Sequence, residues 1–268
     1  MVFHSWRRLF LFPLAAALLS ATALTQPSAP RLPFAPGETL TYDIKWSVFP
    51  AGQVVASLKK LPEGAKDAYE VDTTARSQGF VSLLYKIDNH YQSVFDPKTL
   101  CSREISKTIN EGRRHKRTQI IFDATRRLAL LSERDLSKPA DPLKRATHAI
   151  PPCVEDIVTS FYVLRRAPLH VGEKITVPVN DGSKTQNVIV NVQDREQINT
   201  ALGPRYAFRI EPHALGKLAK KGRMLIWISD DKQRLPLRIE AMMLIGTISG
   251  NLVSVTHTNP VAPAGAGD

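Results

Sequence analysis

Short segments of alternating apolar and polar residues dominate the chain between residues 37 and 258. In the clearest segment Leu40, Tyr42, Ile44, Trp46 and Val48 share one parity, and mostly polar residues take the other. Because successive strand side chains point to opposite faces, this pattern predicts a half-buried β-strand with one wet face. Turn residues at 50–52 and 62–64 then predict a meander through strands at 54–61 and 69–75.

Ten further segments have the composition of strands and are separated by turn residues. They cover residues 87–95, 102–109, 118–122, 128–132, 175–179, 186–192, 207–211, 224–229, 237–243 and 247–255. Asn180-Asp181-Gly182-Ser183 predicts a hairpin turn, because Asp-Gly accepts positive φ, and Asp230-Asp231-Lys232 predicts another. The pattern therefore predicts a mainly β fold: a large antiparallel, strongly curved sheet or open barrel of about a dozen strands, with one short helix packed against it.

The helix is predicted over Val154–Arg165, where apolar residues at positions 154, 157, 158, 161 and 164 form one stripe. Glu155 and Asp156 fall in its first turn and Arg165-Arg166 at its end, where their charges suit the helix dipole. That role explains the adjacent carboxylates better than a catalytic pair would. A shorter helical turn is expected at Val81–Tyr85.

The first 23 residues have the features of a cleaved signal peptide. Arg7-Arg8 precedes an apolar run at Leu9–Leu19, and Ala21-Thr22-Ala23 predicts cleavage after Ala23. The run is shorter than the roughly 20 residues that span a bilayer, which disfavours the alternative of a retained anchor. No cysteine follows it for lipidation. We therefore expect a periplasmic or secreted protein without a stable membrane anchor, exported by the general or the twin-arginine route.

Composition divides the remaining chain into three parts. Residues 24–36 are rich in proline and predict an extended leader, residues 37–258 form a single β domain, and residues 259–268 form a flexible tail.

The net charge of +11 favours negatively charged surroundings such as lipid headgroups. The basic clusters do not interleave aromatic residues, so nucleic acid is not indicated. The candidate contacts with an anionic surface are Arg113, Arg114, Lys116, Arg117, Lys220, Lys221 and Arg223. The alternative is that these residues are ordinary solvated loops and strand edges.

The two cysteines, Cys101 and Cys153, predict a disulfide, because an isolated pair in an oxidising compartment usually bonds. Two buried thiols are the alternative. The separation of the pair disfavours a zinc site, which needs closely spaced Cys or His ligands.

The sequence contains no nucleophile elbow, His-Glu-x-x-His, phosphate-binding glycine loop or dinucleotide fingerprint, and its histidines are scattered. No catalytic residue, metal or cofactor is therefore predicted, and the chain is not expected to be an enzyme. If the sheet curls without filling completely, its concave face becomes a hydrophobic cavity. The candidate lining residues are Leu40, Tyr42, Ile44, Trp46 and Trp227. The alternative is that they are ordinary core.

Several segments together resemble an exported bacterial family catalogued as domain of unknown function 3108. They are residues 36–46, with Phe49-Pro50-Ala51-Gly52, residues 156–165, 171–173, 202–204, 226–231, 235–236 and 245–248. The resemblance covers residues 34–256 and implies a predominantly β fold, similar to the open barrel of LolA-like lipoprotein carriers. It implies no catalytic residues.

The leading hypothesis is a cell-envelope protein that binds lipid or another amphiphile in a curved β-sheet. The first alternative is a non-catalytic structural component that presents surfaces to envelope proteins. The second, least favoured, is a hydrolase of envelope polymers.

Overall fold

The computed structural model describes residues 31–62, 67–213, 222–244 and 246–258. Within them the chain forms a single antiparallel sheet of 14 strands and two short helices. The mainly β fold with an open, curved sheet is thus confirmed. The predicted signal peptide, most of the leader and the tail lie outside the described residues.

The elements follow one another along the chain with short connections. They are β1 Glu38–Trp46, β2 Phe49–Lys60, β3 Tyr69–Ser77, α1 Gly79–Leu84, β4 Asp88–Phe95, β5 Ser102–Glu111, β6 Arg114–Asp123, β7 Leu128–Asp135, β8 Lys144–Ala149, α2 Thr159–Arg166, β9 Lys174–Asn180, β10 Thr185–Thr200, β11 Gly203–His213, β12 Arg223–Ser229, β13 Pro236–Met243 and β14 Gly246–His257.

The strand order is β8-β7-β6-β5-β4-β3-β2-β1-β14-β13-β12-β11-β10-β9. Strands β1 to β8 build one half of the sheet as a meander. The chain then crosses over through α2 to the far edge at β9 and returns by a second meander, until β14 pairs with β1. The two edge strands, β8 and β9, are therefore joined by the segment that contains α2.

The residues before α2 lie between these two edges. Ser102 N donates to Val154 O at 2.9 Å, and Glu155 N donates to Pro178 O at 3.0 Å. Asn180 of β9 contacts the His148 ring of β8 at 2.8 Å between Asn180 Nδ2 and His148 Nε2. The sheet has thus curled until its edges approach each other, and an extended segment fills the gap without closing the barrel.

The predicted start of the helix at Val154 is wrong, because α2 begins at Thr159. The peptide groups of Val154 and Glu155 are bonded to β5 and β9, so they are not free for helical bonds. Glu155 and Asp156 consequently precede α2 instead of forming its first turn. Asp156 Oδ1 accepts from the backbone N–H groups of Val158 and Thr159, so it satisfies donors at the helix start from outside.

The first hairpin also differs from expectation. Pro50-Ala51-Gly52 was predicted as a turn, but these residues lie inside β2. The turn is at Ser47, whose φ is 53°. Lys45 pairs with Pro50 and Ile44 with Gly52, so Ala51 is the extra residue of a β-bulge. A bulge is one of the few strand positions that tolerate proline.

Strand β8 has no counterpart among the predicted strands. Its sequence, Lys-Arg-Ala-Thr-His-Ala, has no large apolar residue, and it pairs only with β7. An exposed edge strand buries too little to acquire a hydrophobic alternation. The helical turn expected at Val81–Tyr85 and the turns at 180–183 and 230–232 are present.

Among the described residues, the core consists of four clusters of buried side chains on the curled sheet. One lies between β9–β12 and α2, around Ile226, Ile228 and Leu164. Another lies beneath the leader, where Phe34 packs with Phe95 and Tyr162 of α2. Both of these clusters contain a buried residue of α2, so the helix packs against both halves of the concave face.

The predicted disulfide between Cys101 and Cys153 is confirmed, with 5.1 Å between the two Cα atoms. It ties the residue before β5 to the segment that fills the gap between the sheet edges.

Since the bond spans a separation of 52 residues, the Cys101→Ser/Cys153→Ser variant should lose about 4 kcal/mol of unfolding free energy. Urea unfolding of both proteins under non-reducing conditions measures the loss.

Adding reductant to the wild-type protein should reproduce that loss and leave the double variant unchanged. Equal stability of wild type and the double variant under non-reducing conditions would contradict the prediction.

Candidate ligand-binding cavity

A cavity of about 380 Å³ lies between α2 and the concave face of the sheet. It is lined by Leu40, Tyr42, Ile44, Val54, Ala56, Val71, Thr73, Tyr91, Ile157, Val158, Phe161, Tyr162, Arg165, Pro236, Ile239, Ala241, Ile248 and Gly250. Most of these side chains are aliphatic or aromatic. Volume and lining are typical of a site for a small apolar or amphiphilic molecule, for which about 300–1,000 Å³ is usual.

Strand alternation places one parity of β1 in the cavity. Leu40, Tyr42 and Ile44 project inward, and across the register Leu40 is opposite Ala56 of β2. Ile44 is opposite Gly250 of β14, where a Cβ would lie 3.1 Å from Ile44 Cδ1. The small residues at these two positions leave the room that the neighbouring side chains do not fill.

A buried ion pair fixes α2 at one end of the cavity. Arg165 Nη1 and Nη2 donate to the two carboxylate oxygens of Glu38 at 2.5 and 2.8 Å, and the side chains are 1% and 3% exposed. Arg165 also donates to the backbone carbonyls of Pro33, Gln233 and Arg234. This single guanidinium therefore joins the leader, β1, α2 and the β12–β13 turn.

The protonation states of the ionisable side chains beside α2 follow from their burial and their partners. Desolvation opposes the charge of Arg165, but the hydrogen bonds and attraction of Glu38 outweigh it and raise the Arg165 pKa. Burial raises the pKa of Tyr42 and of Tyr162, so both phenols stay neutral. Tyr42 Oη donates to Pro236 O at 2.9 Å, which satisfies its hydroxyl beside the cavity.

A second buried carboxylate holds the start of α2 in place. Asp156 is fully buried, and its Oδ2 accepts from the hydroxyls of Ser93, Ser102 and Thr159 at 2.6–2.9 Å. Since these donors come from β4, β5 and α2, the network attaches the helix to the sheet.

A polar row crosses the sheet beside the apolar lining. Thr73, Tyr91 and Lys107 are direct neighbours on β3, β4 and β5, and therefore share the concave face. Thr73 Oγ1 is buried without a hydrogen-bond partner among the described residues. Burial lowers the pKa of Lys107, although Asp156 and Asp181 oppose the shift. Thr73 and Tyr91 present hydrogen-bonding groups to the cavity, and Lys107 extends the row beyond its lining residues.

The structure separates the five residues predicted to line a cavity. Leu40, Tyr42 and Ile44 line it, whereas Trp46, at the end of β1, and Trp227 are not among its lining residues. Trp227 alternates with Ile226 and Ile228, which pack towards α2, so its ring points to the other face of β12. There its Nε1 donates to Glu196 Oε1 at 2.8 Å.

The five predicted basic contacts that the structure describes are not among the lining residues of the cavity, and several form ion pairs. The ion pairs are Arg114–Glu111 at 3.3 Å, Lys116–Glu133 at 3.1 Å and Arg223–Glu211 at 2.7 Å between the nitrogen and oxygen atoms. Arg113 and Arg117 are exposed on the β5–β6 hairpin. Lys220 and Lys221 lie outside the described residues.

Sequence reasoning missed both the Glu38–Arg165 pair and the polar row. The sequence pattern gives Arg165 a role at the helix dipole and places Glu38 only in the segment 36–46 that carries the family resemblance, and their separation of 127 residues gives no local signal. For the row, the available signal was the inward parity of a threonine, a tyrosine and a lysine on consecutive strands.

Two kinds of site are not found in the part of the chain that the structure describes. No three His, Cys, Asp or Glu residues are grouped so as to hold a metal ion. No helix there is long and apolar enough to cross a membrane.

A curled, unclosed antiparallel sheet with a helix on its concave face defines a β-barrel-like protein. The fold matches the crystal structure of a "beta-barrel-like protein of domain of unknown function DUF1849" from Brucella abortus, with a TM-score of 0.55, 9% identity, and coverage of 83% of this chain and 98% of that one. The chain itself belongs to the family described as "Protein of unknown function (DUF3108)", whose model matches residues 41–253.

Two other solved structures are more distantly similar. The hypothetical protein CT021 from Chlamydia trachomatis has a TM-score of 0.35 at 11% identity, covering 86% of this chain and 92% of that one. A putative exported protein with YmcC-like fold from Bacteroides fragilis has a TM-score of 0.35 at 9% identity, covering 84% and 98%. No curated protein matches the chain. The relation to LolA-like carriers stays a prediction.

Replacing Arg165 should destabilise the protein strongly, because Glu38 would be left as a buried, unpaired carboxylate. We expect Arg165→Met to lower the unfolding free energy by about 3–5 kcal/mol. Urea unfolding gives the value. Arg166→Met is the matched control, because it loses only exposed hydrogen bonds to the carbonyls of Lys98 and Thr99 and leaves no buried charge unpaired.

The double variant Glu38→Met/Arg165→Met removes both charges and should recover part of this loss. A double variant less stable than the single one would contradict a coupled pair.

Glu155 predicts a pH dependence of stability. Its Oε2 is buried without a hydrogen-bond partner among the described residues, and burial, with repulsion from Asp156, raises its pKa from 4.5 to about 7. The folded state therefore favours the protonated form, and stability falls as the pH rises from 4.5 through about 7. Glu155→Gln should abolish this fall, a gain of up to about 3 kcal/mol at pH 8.

Urea unfolding of wild type and variant at pH 4.5, 6 and 8 measures the effect. Asp43→Asn, at an exposed position on β1, should leave the slope unchanged. A wild-type slope that persists in Glu155→Gln would assign the dependence to another group.

Proposed function

We propose that this chain is an exported cell-envelope protein that binds a lipid-like amphiphile in the cavity beneath α2. The observation that carries the proposal is an apolar space of about 380 Å³ inside the domain. Its lining residues come from six adjacent strands, β1–β4, β13 and β14, and from α2 with the two residues before it, so the middle of the concave face contributes to it. Export rests on the predicted signal peptide, and it supplies the compartment in which lipid is met.

The lining suits a chain of methylene groups. Each buried CH₂ group contributes about 0.8 kcal/mol, so an acyl chain that fills the cavity gains enough to offset the cost of association. Tyr42 and Arg165, the polar groups near α2, already have protein partners. They therefore do not compete for the ligand, which supports an apolar tail at this end.

The polar row supports an amphiphile with an anionic or hydrogen-bonding head. Thr73 Oγ1 can donate to or accept from a ligand. The Lys107 ammonium is attracted by Asp156, Asp181 and Glu133, but none of them forms a close ion pair with it among the described residues. A carboxylate or phosphate there would receive a charge-assisted hydrogen bond from the Lys107 ammonium. We propose binding, not catalysis, because the lining side chains provide contacts and no activated nucleophile.

The direct test is to extract the purified protein with organic solvent and identify bound lipid by mass spectrometry. A fluorescent fatty acid, cis-parinaric acid, should bind at one molecule per protein. Ala56→Phe fills the cavity and should weaken binding at least tenfold, because the added ring occupies the space of the tail. Val55→Phe adds the same bulk to the opposite face of β2 and is the matched control.

Lys107→Met should weaken binding of the fatty acid more than binding of its methyl ester. An absence of co-purified lipid, together with equal affinity of the Ala56→Phe and Val55→Phe variants for the probe, would reject the cavity as the binding site. It would favour a structural role.

A further inference from the structure

Large apolar side chains are exposed together along one end of the sheet. In α1, Phe80 is 67%, Leu83 83% and Leu84 62% exposed. The β1–β2 turn adds Val48 and Phe49 at 78% and 59%. Leu244 in the β13–β14 turn is fully exposed. We call these six residues, Val48, Phe49, Phe80, Leu83, Leu84 and Leu244, the apolar rim.

The register shows that these turns are neighbours. Ser47 N donates to Thr247 O at 2.6 Å, which places the β13–β14 turn against the β1–β2 turn. On the other side, Gln78 N donates to Ala51 O at 2.9 Å, so α1 begins beside the first residues of β2. The apolar rim is therefore continuous across six adjacent strands, from β13 to β4.

Packing within the domain does not account for α1. Its sequence is Gly-Phe-Val-Ser-Leu-Leu, and none of its residues is buried. A helix that serves the core turns an apolar stripe inward, whereas this helix presents its largest side chains to solvent. Exposed apolar groups in such a concentration mark an interaction surface.

Positive charge without a protein partner flanks the apolar rim. Lys45, Lys86 and Arg113 are exposed and form no ion pair with a described residue. Two carboxylates near Lys86 and Arg113 are already engaged, Asp88 by Arg76 at 3.0 Å and Glu111 by Arg114 at 3.3 Å. The surface therefore combines protruding apolar side chains with exposed cations.

We propose that the apolar rim docks on the surface of a lipid bilayer that contains anionic lipids. Interfacial membrane binding typically uses apolar side chains that enter the headgroup region, with lysine and arginine beside them. The exposed apolar side chains lie on α1, at the β1–β2 hairpin and in the β13–β14 turn, and the exposed cations beside them complement anionic headgroups, which favours a bilayer over an apolar peptide as the occupant. Ile44, Ala241 and Ile248 of the cavity lie on the same strands, next to the rim turns.

The proposal goes beyond ligand binding and is tested separately from it. The full chain is mixed with vesicles of phosphatidylcholine and phosphatidylglycerol at equal amounts, and the bound fraction is measured by co-sedimentation. Wild type should bind, and Leu83→Ser/Leu84→Ser should lower the partition constant at least tenfold, because both side chains leave the bilayer interface. Lys86→Gln/Arg113→Gln should weaken binding at low salt more than at high salt.

Val171→Ser is the matched control, because Val171 is 53% exposed on the connection from α2 to β9, at the other end of the strands. The cavity-filling Ala56→Phe variant should bind vesicles like wild type, which separates failure of this proposal from failure of the cavity. Thermal unfolding checks that each variant is folded. Equal vesicle binding of wild type and Leu83→Ser/Leu84→Ser overturns the proposal, as does self-association of the chain through α1 without vesicle binding.

Discussion

The buried pair of Glu38 and Arg165 is the interaction on which the arrangement of this domain depends. Arg165 belongs to α2, and its guanidinium is fully engaged by a carboxylate of β1 and by three backbone carbonyls. In a medium of low dielectric, neither charge is tolerated without the other. The pair therefore determines where a helix of only eight residues lies on the concave face of a much larger sheet.

The cavity follows from the mismatch between that helix and the sheet. A sheet of 14 strands that curls without closing has more concave surface than one short helix can cover. Side chains from the closing segment, the leader and the sheet itself fill the rest, except where Ala56 and Gly250 have no bulk to contribute. The space that remains is apolar because the inward parity of β1, β2 and β13 is apolar.

The two ends of the strands are chemically different. At the α2 end, polar groups are buried and satisfied by one another, as in the Asp156 network. At the other end, the turns and α1 expose apolar side chains that the described residues leave uncovered. A protein that takes an amphiphile from a bilayer needs one end that retains the apolar tail and another end that binds the membrane surface. The proposed docking and binding roles fit these two ends.

Local patterns in the sequence were sufficient for the strands, most turns and the existence of α2, because alternation and turn chemistry act over a few residues. They failed at β8, which has no apolar side to alternate, and at the start of α2. There the backbone of Val154 and Glu155 is bonded to distant strands. The disulfide was predictable because only two cysteines exist.

The sequence by itself determined the β character, the inward placement of Leu40, Tyr42 and Ile44, and the cysteine pairing, since each depends on neighbouring residues or on composition. Only the tertiary structure decided the partner of Arg165, the row of Thr73, Tyr91 and Lys107, and the position of α1 and two hairpin turns at one end of the sheet. These arrangements depend on strand order and curvature, which bring together residues from distant parts of the chain.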